Sequence, residues 1–345
     1  MNIYNYIETY KDYSFEEKTF CEIDNLVFSL LVYLNFNEII EKKGTINEVG
    51  TKFLEKYKLK DMNKFVPSCK DAYKCLEKIV NTKRYGNILM YNYVYIGNEE
   101  MQFSAITFKI TKRLIYISFE GTDSLLSGWK ENFYLAYQYP TLSQKYAKKY
   151  LKKKIRLFGP KVIVGGHSKG GNLALVASME LLPHDKIKVK KIYNNDGPGL
   201  KQKQIKSLKY KMIRKKLVHI IPYNSVVGIL LRNEFYKSVD AMFIPIASHS
   251  ISTWKMKNDQ LIEKPIDPKS EKLEKNIISW LDNHDDQTRE KMITTIFKIL
   301  DEAGINDTSQ FADIKSIINI IKHVKEVDEE TKNLTIDFIT TSLFN

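Results

Sequence analysis

The chain has 345 residues, 43% of them hydrophobic, enough for one large α/β domain with additions or for two domains sharing an interface. Its three cysteines, Cys21, Cys69 and Cys75, are odd in number and lack Cys-x-x-Cys spacing, which argues against a disulfide framework or a zinc site and for buried structural thiols. The net charge of +13 is carried almost wholly by lysines spread along the chain, whereas readers of bases and phosphates favour the planar fork of arginine, so the charge predicts a solvated basic surface and no nucleic-acid partner.

The segment Met1 to Glu8 has neither the basic start nor the apolar run of a signal peptide, and no apolar stretch approaches membrane-spanning length. A soluble, cytoplasmic protein is expected. Residues 1–85 read as a helical lead-in, with Phe20 to Leu31 placing apolar residues at helix spacing. The period then changes. Asn92–Ile96, Gln102–Ile110 and Leu114–Phe119 are rich in β-branched and aromatic residues, the last two separated by the short break Thr111-Lys112-Arg113, and predict successive strands.

A Lys-rich helix is predicted over Leu142–Leu157, then the apolar run Lys161 to Gly165, and another helix opening at Gly170 to Ala177. Further strands fit Val189–Asn194 and Leu217–Pro222, with a helix-like stretch, Gln202–Met212, between them. Alternating strands and helices imply crossover connections and a mostly parallel sheet covered on both faces by helices, an α/β core over 86–264. Beyond Pro265-Ile266-Asp267-Pro268 the pattern is helical, over Leu273–Leu281, Thr288–Leu300, Phe311–His323 and Glu329–Leu343 with a break near Gly304, and predicts a C-terminal module over 265–345.

Between the apolar run and the helix at Gly170 lies Gly166-His167-Ser168-Lys169-Gly170. Gly-x-Ser-x-Gly alone is weak evidence, arising by chance in roughly one chain in ten of this length. The setting decides: strand before and helix after is the context of a nucleophile elbow. Gly166 and Gly170, with Gly171 beside them, keep Cβ atoms away from the neighbouring strand and helix, so that Ser168 can occupy a strained turn and point its hydroxyl outward. The helix N-terminus behind it offers backbone N–H groups to a tetrahedral oxyanion, that of Lys169 first.

In such folds the chain order is nucleophile, acid, histidine. His167 lies inside the elbow and is expected to pack beneath it, His184 follows too closely, His219 sits within a strand, and His284 and His323 belong to charged helices. His249, in the polar loop Ser248-His249-Ser250, is the base by elimination. Asp196, in Asn195-Asp196-Gly197-Pro198-Gly199, falls at a strand's C-terminal end, where sites gather in parallel sheets, though Asp-Gly-Pro-Gly is also good turn chemistry. Asn224 follows the next strand, the other place for an acid, but an amide does not stabilise an imidazolium as a carboxylate does. The loop Glu120-Gly121-Thr122-Asp123 offers a second oxyanion donor at Thr122. Trp129, Phe133, Tyr134, Tyr137 and Tyr139 form either an apolar flap over an acyl group or core at helical spacing.

Phe119 to Asp123, Gly128-Trp129-Lys130-Glu131, Gly165 to Ala174 and Asn195 to Gly199 together resemble the Mbeg-like bacterial α/β-hydrolases, a family akin to class 3 lipases, over most of the chain. The resemblance implies a lipase- or esterase-like serine hydrolase with Ser168, Asp196 and His249 in the triad places and Thr122 at the oxyanion hole. Glu120 stands where lipase-like relatives usually carry Arg, Asn132 where an Asp commonly follows the Trp129 segment, and Ser250 where an acidic neighbour of the histidine is usual. The leading expectation is hydrolysis of a small-molecule or lipid ester with no cofactor or metal, with peripheral membrane contact compatible with the basic surface. The competing expectation is a non-catalytic hydrolase-fold scaffold that binds a protein partner or an anionic membrane surface.

Overall fold

The computed structural model describes residues 1–64, 66–98, 101–122, 126–305, 323 and 328–339. Eight strands form one sheet and neighbour each other in chain order: β1 (Lys43–Thr45), β2 (Leu89–Gly97), β3 (Gln102–Thr111), β4 (Leu114–Phe119), β5 (Lys161–His167), β6 (Val189–Asn195), β7 (Leu217–Pro222) and β8 (Lys237–Val239). From β1 to β4 the pairing is antiparallel, and from β4 to β8 it is parallel. The short break at Thr111 to Arg113 permits only a hairpin, while each parallel pair needs a crossover.

The order of the strands determines how the faces are covered. When parallel strands are laid down in sequence by right-handed crossovers, every crossover falls on the same face. Here α6 (Leu142–Lys154), α7 (Lys169–Met179) and the short helices between β6 and β7 bury Ile117, Val162, Val164, Leu173, Val176 and Ile213 in one cluster. The opposite face would be bare. It is covered by α1 (Ile3–Tyr10), α2 (Glu22–Leu31), α3 (Ile46–Lys56) and α4 (Pro67–Ile79), whose Ile7, Phe28, Phe53 and Leu76 share a second cluster with Tyr116, Ile163, Tyr193 and Ile220 from the sheet. Alternation along β5 sends Val162 and Val164 to one layer and Ile163 to the other. The N-terminal helices thus form the second layer of the α/β-hydrolase core.

Helix α2 carries polar residues on its buried side. Its Asp24 carboxylate accepts hydrogen bonds from Arg84 Nε at 2.9 Å and Nη2 at 2.7 Å, from the Tyr85 hydroxyl at 2.7 Å, the Tyr6 hydroxyl at 3.2 Å and the Cys21 N–H at 2.8 Å. Arg84 spends its other nitrogen, Nη1, on the carbonyls of Tyr13 at 3.2 Å and Lys18 at 3.0 Å. Both charges are fully buried, so the guanidinium ties the first 20 residues to the sheet layer. Cys69 and Cys75 are buried, the Cys69 thiol donating to the Tyr33 carbonyl at 3.5 Å, while Cys21 is partly exposed at the start of α2.

Helices α8 (Pro268–Asn283) and α9 (Asp286–Glu302) bury a third cluster, Trp280, Met292, Ile293, Phe297 and Leu300, to which α5 (Leu126–Tyr134) and the turn after it add Tyr134 and Tyr137. Phe133 stacks edge-on with Phe297 at 5.5 Å. Phe133, Tyr134 and Tyr137 therefore pack against the C-terminal helices, and the Tyr139 hydroxyl bonds Glu180 at 3.0 Å. The side chain of Trp129 and most of the expected helix Phe311–His323 lie outside the described residues, as does the end of Glu329–Leu343 beyond 339. The stretch Gln202–Met212 is two short helices, Gln202–Ile205 and Leu208–Lys211, because Ser207 turns its hydroxyl onto the Tyr210 N–H and caps the second.

Removing one partner of the Asp24–Arg84 pair leaves the other charge buried and unmatched, which costs about 3–5 kcal/mol. Asp24→Ala is expected to lower the unfolding free energy in urea by that amount, and a variant as stable as wild type would show that the pair contributes nothing to the docking of the N-terminal layer.

Candidate active site

Ser168 connects the last residue of β5 to the first of α7 with φ 57° and ψ −132°, a conformation that side chains other than hydrogen strain to adopt. Its N–H bonds the Asn195 carbonyl at 2.9 Å and its own carbonyl accepts from Gly171 N–H at 2.9 Å, so the turn is held from both sides. A Cβ at Gly166 would lie 2.4 Å from the Gly170 carbonyl carbon, and one at Gly170 would lie 2.1 Å from the Phe119 oxygen. Strand β4, the elbow and the first turn of α7 meet with no room for a methyl group at either position.

Asp196 follows β6, fully buried, at φ 50°. Its Oδ1 accepts from Ser225 Oγ at 2.5 Å and from Gly228 N–H at 3.0 Å, and its Oδ2 lies 2.6 Å from His249 Nδ1. The carboxylate accepts from Nδ1, so in the neutral ring the proton sits on Nδ1 and Nε2 of His249 is the nitrogen with the lone pair. Among the described residues no hydrogen bond joins that nitrogen to Ser168 Oγ, a contact that in catalytic serine sites often closes only around substrate. Asn224, the other candidate for the acid, takes a different part: its Nδ2 donates to the carbonyls of Met242 at 3.2 Å and Phe243 at 2.7 Å.

His167 does more than fill space beneath the elbow. Its ring lies 4.4 Å from that of His249, and its Nε2 lies 2.7 Å from the His249 carbonyl, which can only accept; Nε2 therefore carries the proton, and Nδ1 receives the Tyr33 hydroxyl at 2.9 Å. Burial pushes its pKa well below the usual histidine range, with His249 adding to the effect. His167 is neutral, with the tautomer opposite to that of His249. On the far side of the histidine loop, Asp71 of α4 accepts from Ser252 Oγ at 2.9 Å and also from Ser250 Oγ. The N-terminal layer thus reaches the loop through Tyr33 and Asp71, a link between residues more than 100 positions apart that no local pattern announces.

Lys169 opens α7, where its N–H has no intrahelical acceptor. Its side chain is buried, donating to the Gln102 carbonyl at 2.8 Å and Gln102 Oε1 at 2.7 Å and pairing with Glu131 at 3.4 Å. Glu131 in turn accepts from Ser143 N–H at 2.9 Å and Ser143 Oγ at 2.5 Å. The loop after β4 passes against the elbow: a Cβ on Gly121 would lie 2.7 Å from the His167 carbonyl oxygen. Next in that loop, Thr122 accepts at its hydroxyl from Asn132 Nδ2 at 2.7 Å, and Asp123 lies outside the described residues.

A serine strained between a parallel strand and a helix, a buried carboxylate after the next strand and a histidine on a later loop give the chain an α/β-hydrolase fold with its loops gathered at the strands' C-terminal ends. Residues 79–298, more than half of the chain, match the family model described as Mbeg1-like, and the chain belongs to the Mbeg1-like family. Among solved structures, the crystal structure of M37 lipase is similar over 59% of this chain and 68% of its own, at 16% identity and a TM-score of 0.32. No curated protein matches.

Two outcomes follow from this geometry. Glycine relieves the strain at φ 57°, so Ser168→Gly is expected to melt a few degrees above Ser168→Ala; equal melting temperatures would mean that the turn stores no strain. Burial holds the pKa of His219 down to about 4 and that of His167 well below 6.5. Both take up protons more readily when unfolded, so stability is full above about pH 6.5 and falls as the pH drops toward 4. His219→Gln should flatten part of that slope in urea titrations taken across the range, and an unchanged slope would remove His219 from the account.

Proposed function

We propose that the protein is a serine hydrolase acting on esters, through Ser168, His249 and Asp196. The observation that carries the reading is the 2.6 Å contact between His249 Nδ1 and the buried Asp196, on a histidine whose ring lies 4.4 Å from that of the residue preceding the strained serine. Ser168 Oγ attacks the acyl carbonyl while His249 Nε2 takes its proton. Asp196 holds the tautomer and stabilises the imidazolium, and the backbone N–H groups of Lys169 and Thr122 receive the oxyanion. Collapse of the tetrahedral species breaks the ester C–O bond, the imidazolium protonates the departing alcohol, and water, deprotonated by the same ring, releases the acid from Ser168.

The cradle around Asp196 fixes the orientation of its carboxylate, since Ser225 and Gly228 donate to one oxygen while the ring occupies the other. Asn224 has no share in this, because its amide is engaged with Met242 and Phe243.

With a short p-nitrophenyl ester, Ser168→Ala is expected to abolish turnover in a folded protein. Asp196→Asn should lower kcat by at least about a hundredfold, a conservative figure beside the roughly 10⁴ lost in the serine-protease precedent. Asn224→Ala should leave kcat within a few-fold of wild type. Turnover that survives Ser168→Ala would refute the nucleophile, and an Asn224 change more damaging than Asp196→Asn would move the acid to β7.

A further inference from the structure

The residues leading into His249 break the usual relation between hydropathy and burial. Phe243 is 77% exposed and Ile246 86%, with Met242 and Ile244 near half exposed, so four large apolar side chains stand in solvent within five positions. Val226, one residue past the Ser225 that holds Asp196, is also exposed. Single exposed hydrophobics need no explanation, but a contiguous cluster does. This one is not slack chain. Asn224 Nδ2 fixes the carbonyls of Met242 and Phe243, and Ser248 N–H bonds the Ile244 carbonyl at 2.8 Å. The helical turn Pro245–Ser248 then delivers His249 to Asp196.

We infer that Met242 to Ile246, with Val226 two residues past the Asn224 that holds it, is a docking element for an anionic lipid bilayer, seated on the rim of the Ser168 site. The inference deepens the proposed function by naming a lipid aggregate as the surface on which that site works. Three observations select this occupant. The cluster is a short run of four side chains, far from the roughly 800 Å² that each partner commits to a stable protein complex, whereas a bilayer accepts small apolar insertions. Asp240, two residues before Met242, is paired with both Lys255 at 2.9 Å and Lys264 at 3.5 Å, so its negative charge is matched where it would otherwise oppose an anionic surface. The whole chain carries +13, which draws it to a negative surface. Immersing this rim brings acyl chains to the mouth of the site without opening a lid, because the element is already held out by Asn224.

The test uses the full chain and sedimentation with vesicles of phosphatidylcholine alone or mixed with phosphatidylglycerol. Wild type should bind the anionic vesicles, more weakly at high salt, and the double variant Phe243→Ser, Ile246→Ser should bind at least about tenfold more weakly. Turnover of a soluble short ester serves as the control and should stay within about twofold. Phe243→Trp provides an independent reading, with its emission shifting to the blue on anionic vesicles. Ser168→Ala should bind vesicles as wild type does while losing turnover, which separates docking from chemistry. Absence of binding by wild type, equal binding by the double variant, or a wild-type dimer that the double variant abolishes would each overturn the inference. Turnover in Ser168→Ala with docking intact would overturn the proposed chemistry alone.

Discussion

The close approach of β4 to the first turn of α7 is the constraint on which the rest of the site depends. The Phe119 carbonyl lies where a Cβ of Gly166 or Gly170 would sit, 2.5 Å and 2.1 Å away. Only glycine allows the strand and helix to close so tightly, and the closing forces Ser168 into its positive φ. The same contact carries the loop after β4 against the His167 carbonyl, so the position of Thr122 follows from the packing of the elbow. Lys169 and Glu131 reinforce it with a buried ion pair from beneath. Replacing that pair by well-packed apolar groups could preserve stability, but breaking it from one side would strand a charge.

The second dependence is topological. Parallel strands in sequential order leave one face without crossovers, and the N-terminal helices fill it while supplying polar contacts to the site. Asn25 Nδ2 bonds Asn195 Oδ1 at 2.9 Å, and Asn195 Nδ2 bonds the Gly166 carbonyl at 2.9 Å, so α2 reaches the elbow strand through two amides. Tyr33 orients His167, whose ring donates to the backbone of His249, and Asp71 holds the serines after it. A hydroxyl or carboxylate lost from α2 to α4 is therefore felt at the histidine, even though none of these residues touches a substrate on the proposed reading.

Much of this architecture was legible in the sequence because it rests on local rules. The runs at Leu114 to Phe119 and Leu217 to Pro222 are strands at those bounds, and Ser168 falls between strand and helix as the glycine spacing requires. Strands β1 and β8, with three residues each, are too short to show a period, and were invisible for that reason. The helix pattern at the N-terminus was readable, but not its use as the second layer of the sheet, which depends on strand order. Asp196 and Asn224 were both plausible beside His249, and the contacts divide them: one meets the ring, the other the carbonyls of an apolar loop. The role of His167 in holding the backbone of His249 could not be read from a motif that marks its position only as variable.

The central claim, that Ser168 is a nucleophile activated by the His249–Asp196 pair, is tested most directly by a fluorophosphonate probe on the purified full-length chain at neutral pH, with the modified residue located by peptide mass spectrometry. The account predicts a single adduct on the peptide containing Ser168, formed far more slowly in Asp196→Asn and absent in Ser168→Ala. A protein that stays unlabelled, or one labelled at another serine and unaffected by either substitution, would contradict it.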